Sequence, residues 1–146
     1  MGFRVISQLS LNYRRSPLSQ EGKPRLTKGP RAGDRFPDAP IRIDGRDTTI
    51  HQSLSSSGFQ LLLCGPLERW APPDDDAVTW PPYVTTTKLS STSGPGVWTD
   101  SEHAVLRLLG IETGDSAHYV IRPDGHVGYR ARGNNLAGAR EYFRGL

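Results

Sequence analysis

The sequence predicts an α/β fold with a central mixed sheet, a C-terminal β-hairpin and a closing helix, preceded by an extended N-terminal arm. Three stretches carry that expectation. "FQLLLC", residues 59–64, is a short and nearly continuous apolar run, the pattern of a central strand covered on both faces. "HYVIRPDGHVGYRA", residues 118–131, sets two strand patterns around a turn in which Pro123 fixes φ and Gly125 permits φ > 0. "NLAGAREYFRGL", residues 135–146, puts Leu136, Ala139, Tyr142 and Phe143 on one side of a helix.

The other elements can be read off in chain order. Residues 2–13 alternate apolar and polar through Val5, Ser7, Leu9, Leu11 and Tyr13, as a short strand does. Residues 14–40 are rich in Arg, Pro and Gly, and prolines at 17, 24, 30, 37 and 40 exclude a helix. The expected division is therefore an arm over 1–40 and a folded domain over 41–146. "IRIDGRDTTIH" offers Ile41 and Ile43 on one face, an Asp44–Gly45 turn and a return through Ile50. A brief helix can start after Thr48 or Thr49 and close at Gly58. After residues 59–64, prolines at 66, 72, 73, 81 and 82 keep any helix at "PLERWA" short. "YVTTTKLS" has the β-branched content of a second strand, and "STSGPG" is a flexible connection. "TDSEHAVLRLLGI" starts a helix capped by Thr99 or Asp100, with Val105, Leu106, Leu108 and Leu109 as its apolar face and Gly110 as its end. The order is β–α–β, α, then β–β–α. A parallel pair, an antiparallel hairpin and a closing helix make a thioredoxin-like arrangement.

Composition narrows the function classes. At 146 residues the chain suits one domain, and one Cys excludes an internal disulfide framework. No apolar run approaches the roughly 20 residues of a membrane helix, and "MGFRVISQLS" lacks a signal-peptide centre, so a soluble, cytoplasmic protein is expected. Residues 1–46 hold ten Lys/Arg and four Asp/Glu, whereas the rest holds eight and eleven. Such a basic arm can attract phosphates. Few aromatics interleave with its charges for base stacking, so a solvated or partner-covering arm is the expected role, with neither nucleic acid nor membrane as partner.

"YRRSPL", "AGDRFPDAPI", "FQLLLCG", "LLGI" and "HYVIRPDGHVGYRA" together resemble the C-terminal, thioredoxin-like domain of FAD-dependent aromatic-ring hydroxylases, the phenol-hydroxylase and polyketide-hydroxylase monooxygenases. The resemblance runs from about Leu9 onward. Its most specific positions are Tyr13, Arg14, Ser16, Pro17, Gly33, Asp34, Pro37, Arg122, Pro123, Asp124, Gly125 and Arg130. In that family the chemistry belongs to the flavin domain and the adjoining substrate domain. The resemblance thus implies a chain beginning where those end. It implies no cofactor site in the chain itself, with FAD and NAD(P)H entering only through a partner flavin domain. The expected role is a non-catalytic accessory or assembly domain that packs on a flavoprotein or on a second copy. The alternatives are a fragment or split subunit of a working monooxygenase and a stand-alone thiol redox enzyme using Cys64.

The residues support that division. No G-x-G-x-x-G comes after a first strand, so a dinucleotide cradle is missing. "GDSAH", Gly114–His118, resembles the segment with which such hydroxylases hold the flavin ribityl chain, but it leads directly into "YVIRPDG" and reads as a turn before a strand. Cys64 is the candidate thiol. A thioredoxin-type site needs C-x-x-C at a helix start, and "GPLERWA" supplies no second Cys. "GDRFPDAPIRIDG" also resembles a peroxiredoxin opening, yet no Cys stands at the distance such enzymes use. Cys64 at a strand end reads as a small packing residue. His51, His103, His118 and His126 lack metal-ligand spacing, and the aspartates 74–76 read as solvated. Trp70, Trp80, Trp98 and Tyr83 form either a partner-facing patch or wedges between loops and core.

Overall fold

The computed structural model describes residues 19–55, 57–70 and 80–146. The strand expected over 2–13, the signature residues Tyr13, Arg14, Ser16 and Pro17, and the aspartates 74–76 lie outside the described residues. The elements are β1 (Gln20–Glu21), β2 (Pro40–Ile43), β3 (Arg46–Thr49), α1 (Ile50–Ser53), β4 (Phe59–Cys64), a 3-10 turn (Leu67–Trp70), β5 (Val84–Ser90), β6 (Trp98–Thr99), α2 (Ala104–Leu108), β7 (Ala117–Ile121), β8 (Val127–Arg132) and α3 (Ala137–Arg144). They build one sheet in the order β1-β8-β7-β4-β5-β6-β2-β3.

At the centre, β4 runs parallel to β5 and antiparallel to β7, and β7 turns back antiparallel into β8. The continuous apolar run of β4 has the expected cause. Leu62 and Cys64 face one buried cluster with Phe36, Leu89, Tyr119 and Ile121; Leu61 and Leu63 face the other with Trp70, Tyr129, Tyr142 and Phe143. Helix α3 covers the second face through Ala139, Tyr142 and Phe143, the side its periodicity assigned.

The β2–β3 hairpin turns at Asp44 and Gly45, both at positive φ, and the Asp44 side chain accepts from Gly96 N at 3.0 Å, tying the hairpin tip to the loop before β6. Helix α1 starts as expected, with Thr49 Oγ1 accepting from Gln52 N, but it stops at Ser53, well before Gly58. Helix α2 departs further from expectation. Thr99 belongs to β6, and the helix begins only at Ala104. Asp100 still caps it, its two carboxylate oxygens accepting from Ala104 N and Leu106 N at 3.1 and 2.8 Å. The late start rotates Leu108 outward, where it is 50% exposed, while Val105, Leu106 and Leu109 stay buried.

From Ser19 the arm lies along the domain. Strand β1 pairs parallel with β8, and Leu26, Ala32 and Phe36 enter the core. Arg130 fastens it: this buried guanidinium donates to Glu21 Oε1 and Oε2 at 2.8 and 3.0 Å and to the carbonyls of Leu26, Lys28 and Pro30 at 3.0, 2.8 and 2.7 Å. Among the described residues no helix is long and apolar enough to cross a membrane.

Candidate functional site

Cys64 ends β4, and the packing around that strand end decides what its thiol can do. The side chain is fully buried, and desolvation pushes the thiol far up from its ordinary range, away from the thiolate that nucleophilic sulfur chemistry needs. Its Sγ lies 3.8 Å from the Leu62 carbonyl, an acceptor that favours the protonated thiol. Gly65 takes φ +122°, and a Cβ on it would meet the Asp115 carbonyl at 2.5 Å, so the loop before β7 presses directly on the strand end. The chain then makes a 3-10 turn over Leu67–Trp70, and Trp70 Nε1 donates back to the Cys64 carbonyl at 3.0 Å.

Two further contacts close this end of the sheet. Arg69 Nη2 donates to Gly114 O at 3.3 Å, and Asn134 Nδ2 donates to Arg69 O at 3.1 Å. The flavin-like string "GDSAH" is thereby spent on structure. Gly114 sits at φ +88° in the turn, Ser116 is buried, and His118 is a buried β7 residue bonded to Gly133 O at 2.9 Å. These residues do not fit a flavin: the Gly114 carbonyl and Nδ1 of His118 are taken by protein partners, and the segment is a turn before a strand.

The described signature residues gather elsewhere, where the arm crosses the β7–β8 hairpin. Gly33 N donates to Val127 O at 2.7 Å, Val127 N to Asp34 O at 2.8 Å and Phe36 N to Gly125 O at 2.8 Å. Asp34 also closes its own turn by accepting from Arg31 N at 2.8 Å. Arg122 pairs with Asp124 at 2.7 Å, Gly125 adopts φ +85°, and Arg130 holds the arm further along β8. Pro37 is half-buried beyond Phe36, and Pro123 is exposed at the turn. The described members of the set therefore join arm to hairpin. Glu21, the carboxylate that completes this joint, escapes a reading of the sequence because its partner lies 109 positions away.

The remaining candidates are dispersed. His51 Nε2 lies 2.7 Å from Phe36 O, His103 Nε2 3.0 Å from Ile111 O, and His126 stands beside Asp124. Among the described residues no group of three or more His, Cys, Asp or Glu could hold a metal. Trp70 and Trp98 are buried; Trp80 packs edge-on to Phe143 with Arg140 over its ring at 5.9 Å, and Tyr83 is 43% exposed beside Phe59.

No family model matches the sequence, and no curated protein matches it. Solved structures do. A thiol peroxidase from Chromobacterium violaceum superposes with TM-score 0.60 at 13% identity, over 87% of this chain and 95% of that one. The fold is thioredoxin-like. Aklavinone-11 hydroxylase, solved with FAD and aklavinone, superposes with TM-score 0.56 at 26% identity over 87% of this chain, and the flavin-dependent monooxygenase PieE, solved with FAD and substrate, with TM-score 0.54 at 24% identity over 82%. This chain spans only 24% and 21% of those two proteins. The thioredoxin-like match to the peroxidase is nearly end to end, whereas the match to the hydroxylases is to one part of a larger chain.

Proposed function

We propose that this chain is a non-catalytic thioredoxin-like accessory domain related to the C-terminal domain of FAD-dependent aromatic-ring hydroxylases, and that it works by packing against a flavoprotein body. The observation that carries the reading is the sealed end of β4. In a thioredoxin-type thiol enzyme that place presents a thiolate at a helix N-terminus. Here it presents Gly65 jammed against Asp115, a 3-10 turn, and a desolvated thiol buried in the core. Identity to aklavinone-11 hydroxylase, 26%, is twice the 13% to the peroxidase, which supports the hydroxylase side of the likeness.

The same likeness supports the second reading, a split subunit of a working monooxygenase, with flavin and substrate sites on another polypeptide. One experiment addresses both. The chain is mixed with a separately expressed flavin and substrate domain pair of an aromatic-ring hydroxylase, and complex formation is followed by gel filtration with absorbance at the flavin band. A stable complex is expected. If hydroxylation also rises on complex formation, the split-subunit reading holds; if the chain does not bind, and instead reduces a hydroperoxide through Cys64, the accessory reading is wrong.

A further inference from the structure

Among the described residues, His118 is the imidazole that the fold encloses completely. It lies in β7 between Leu63 of β4 and Ala131 of β8, with Trp70 edge-on at 6.2 Å and Tyr129 tilted across it at 6.0 Å. Nδ1 lies 2.9 Å from the Gly133 carbonyl, which fixes the proton there, because a carbonyl accepts. Nε2 is buried and has no hydrogen-bond partner among the described residues. The bond to Gly133 anchors a small closure. Gly133 N donates to Ser116 O at 2.7 Å, the adjoining Asn134 holds the Arg69 carbonyl, and Trp70 leans on the His118 ring.

We infer that His118 is an acid-sensitive latch, holding the loop 133–135 and the 3-10 turn Leu67–Trp70 over the end of β4 while neutral and releasing them when protonated. The chemistry is that of one atom. Protonation leaves the Nδ1 bond intact but puts an N–H and a positive charge at Nε2, where no acceptor waits among the described residues. Moving the ring to water is the remedy, and it breaks the Gly133 bond and uncovers Trp70.

The charged groups of the surrounding elements do not offset this. Glu68 and Arg69 of the turn are exposed, Arg132 of β8 pairs with Asp115 at 3.3 Å at the surface, and Arg130 is committed to Glu21 and the arm. Tyr129 is held neutral by burial, which raises its hydroxyl's pKa. None of these forms an ion pair with His118. Burial accordingly lowers the imidazole from its ordinary value of about 6.5. The unfolded or opened form therefore binds the proton more readily, so the stability of closure is full above about pH 6.5 and falls as pH drops toward the lowered value.

The test is hydrogen exchange between about pH 7.5 and 4.5, a window spanning the ordinary imidazole pKa, corrected for the intrinsic pH dependence, on the chain and on His118→Asn, whose amide can still donate to Gly133 O but does not titrate. In the unmodified chain, protection over residues 65–70 and 133–136 is expected to fall by up to about tenfold per pH unit below about 6.5, the slope of one proton, with β4 and β7 still protected. In His118→Asn that dependence should vanish. Equal pH dependence in both proteins, or none in the unmodified chain, overturns the latch. Should the variant fail to fold, imidazole NMR of the unmodified chain decides: a neutral Nδ1–H ring well below about pH 6.5 supports the latch, and a ring half-protonated at about that pH in the folded protein refutes it.

Discussion

Cys64 and Arg130 are both buried, and their burial has opposite consequences. The thiol asks nothing of its surroundings, so it packs like a small apolar group among Leu62, Leu89 and Ala117. Cys64→Ala should cost about 1 kcal/mol or somewhat more through the cavity it leaves, and Cys64→Ser more, since a more strongly hydrated hydroxyl would be buried in an apolar cluster. Thiol-reactive dyes should label it only as fast as the domain opens, because the raised thiol pKa keeps the sulfur protonated in the folded state. Rapid native-state labelling would show a reactive thiol instead. Arg130 is charged and needs every partner it has. Arg130→Met would leave three carbonyls without their donor and Glu21 with only the Ala32 N–H, at a cost of about 3 to 5 kcal/mol, readable as a large drop in the urea midpoint. Arg130→Lys should lose nearly as much, because an ammonium cannot reach a bidentate carboxylate and three carbonyls at once.

At the scale of elements, two glycines with nearly the same backbone angle separate conformational need from close approach. Gly125 at the β7–β8 turn has φ +85°, and a Cβ there would meet nothing within 4 Å. Gly125→Val should therefore cost only the strain of a β-branched residue at positive φ, about 1 to 2 kcal/mol. Gly110 after α2 has φ +83°, but its Cβ would strike the Lys28 carbonyl at 2.5 Å. Gly110→Ala should cost clearly more than Gly125→Ala, and equal melting temperatures for the two would contradict the close packing of arm on helix end. The first glycine is legible in the sequence and the second only half so. "RPDG" between two strand patterns is local information, and so are the β4 run, the Asp44–Gly45 turn and the face of α3. The hidden features depend on distant partners: β6 is two residues long and exists because β2 and β5 flank it, the late start of α2 is set by that strand, and Gly110 meets Lys28 of the arm. The closure at the end of β4 is unreadable for the same reason, since Asn134, Arg69, Gly114 and His118 converge from separate segments.

For the whole molecule, the decisive property is that both faces of the central strand β4 are covered by described residues of this chain. Core clusters lie on either side of β4, one closed by α2 and the arm, the other by α3 and Trp70. A flavin needs a pyrophosphate cradle at a helix N-terminus and a groove that buries its ring system. The longest helix among the described residues, α3, starts at Ala137 behind Leu136, and the one flavin-like string is folded into the turn before β7. The chain alone should therefore retain no FAD through gel filtration and oxidise no NAD(P)H, with or without a phenol. Stoichiometric flavin absorbance on the purified protein would refute this. The chain should instead melt as one cooperative unit without added flavin, with a midpoint that does not move when FAD is supplied in excess, because a ligand stabilises a fold only by binding it. A rise of several degrees with FAD would mean that a site exists where the packing of Gly114–His118 leaves none, and the accessory reading would fall with it.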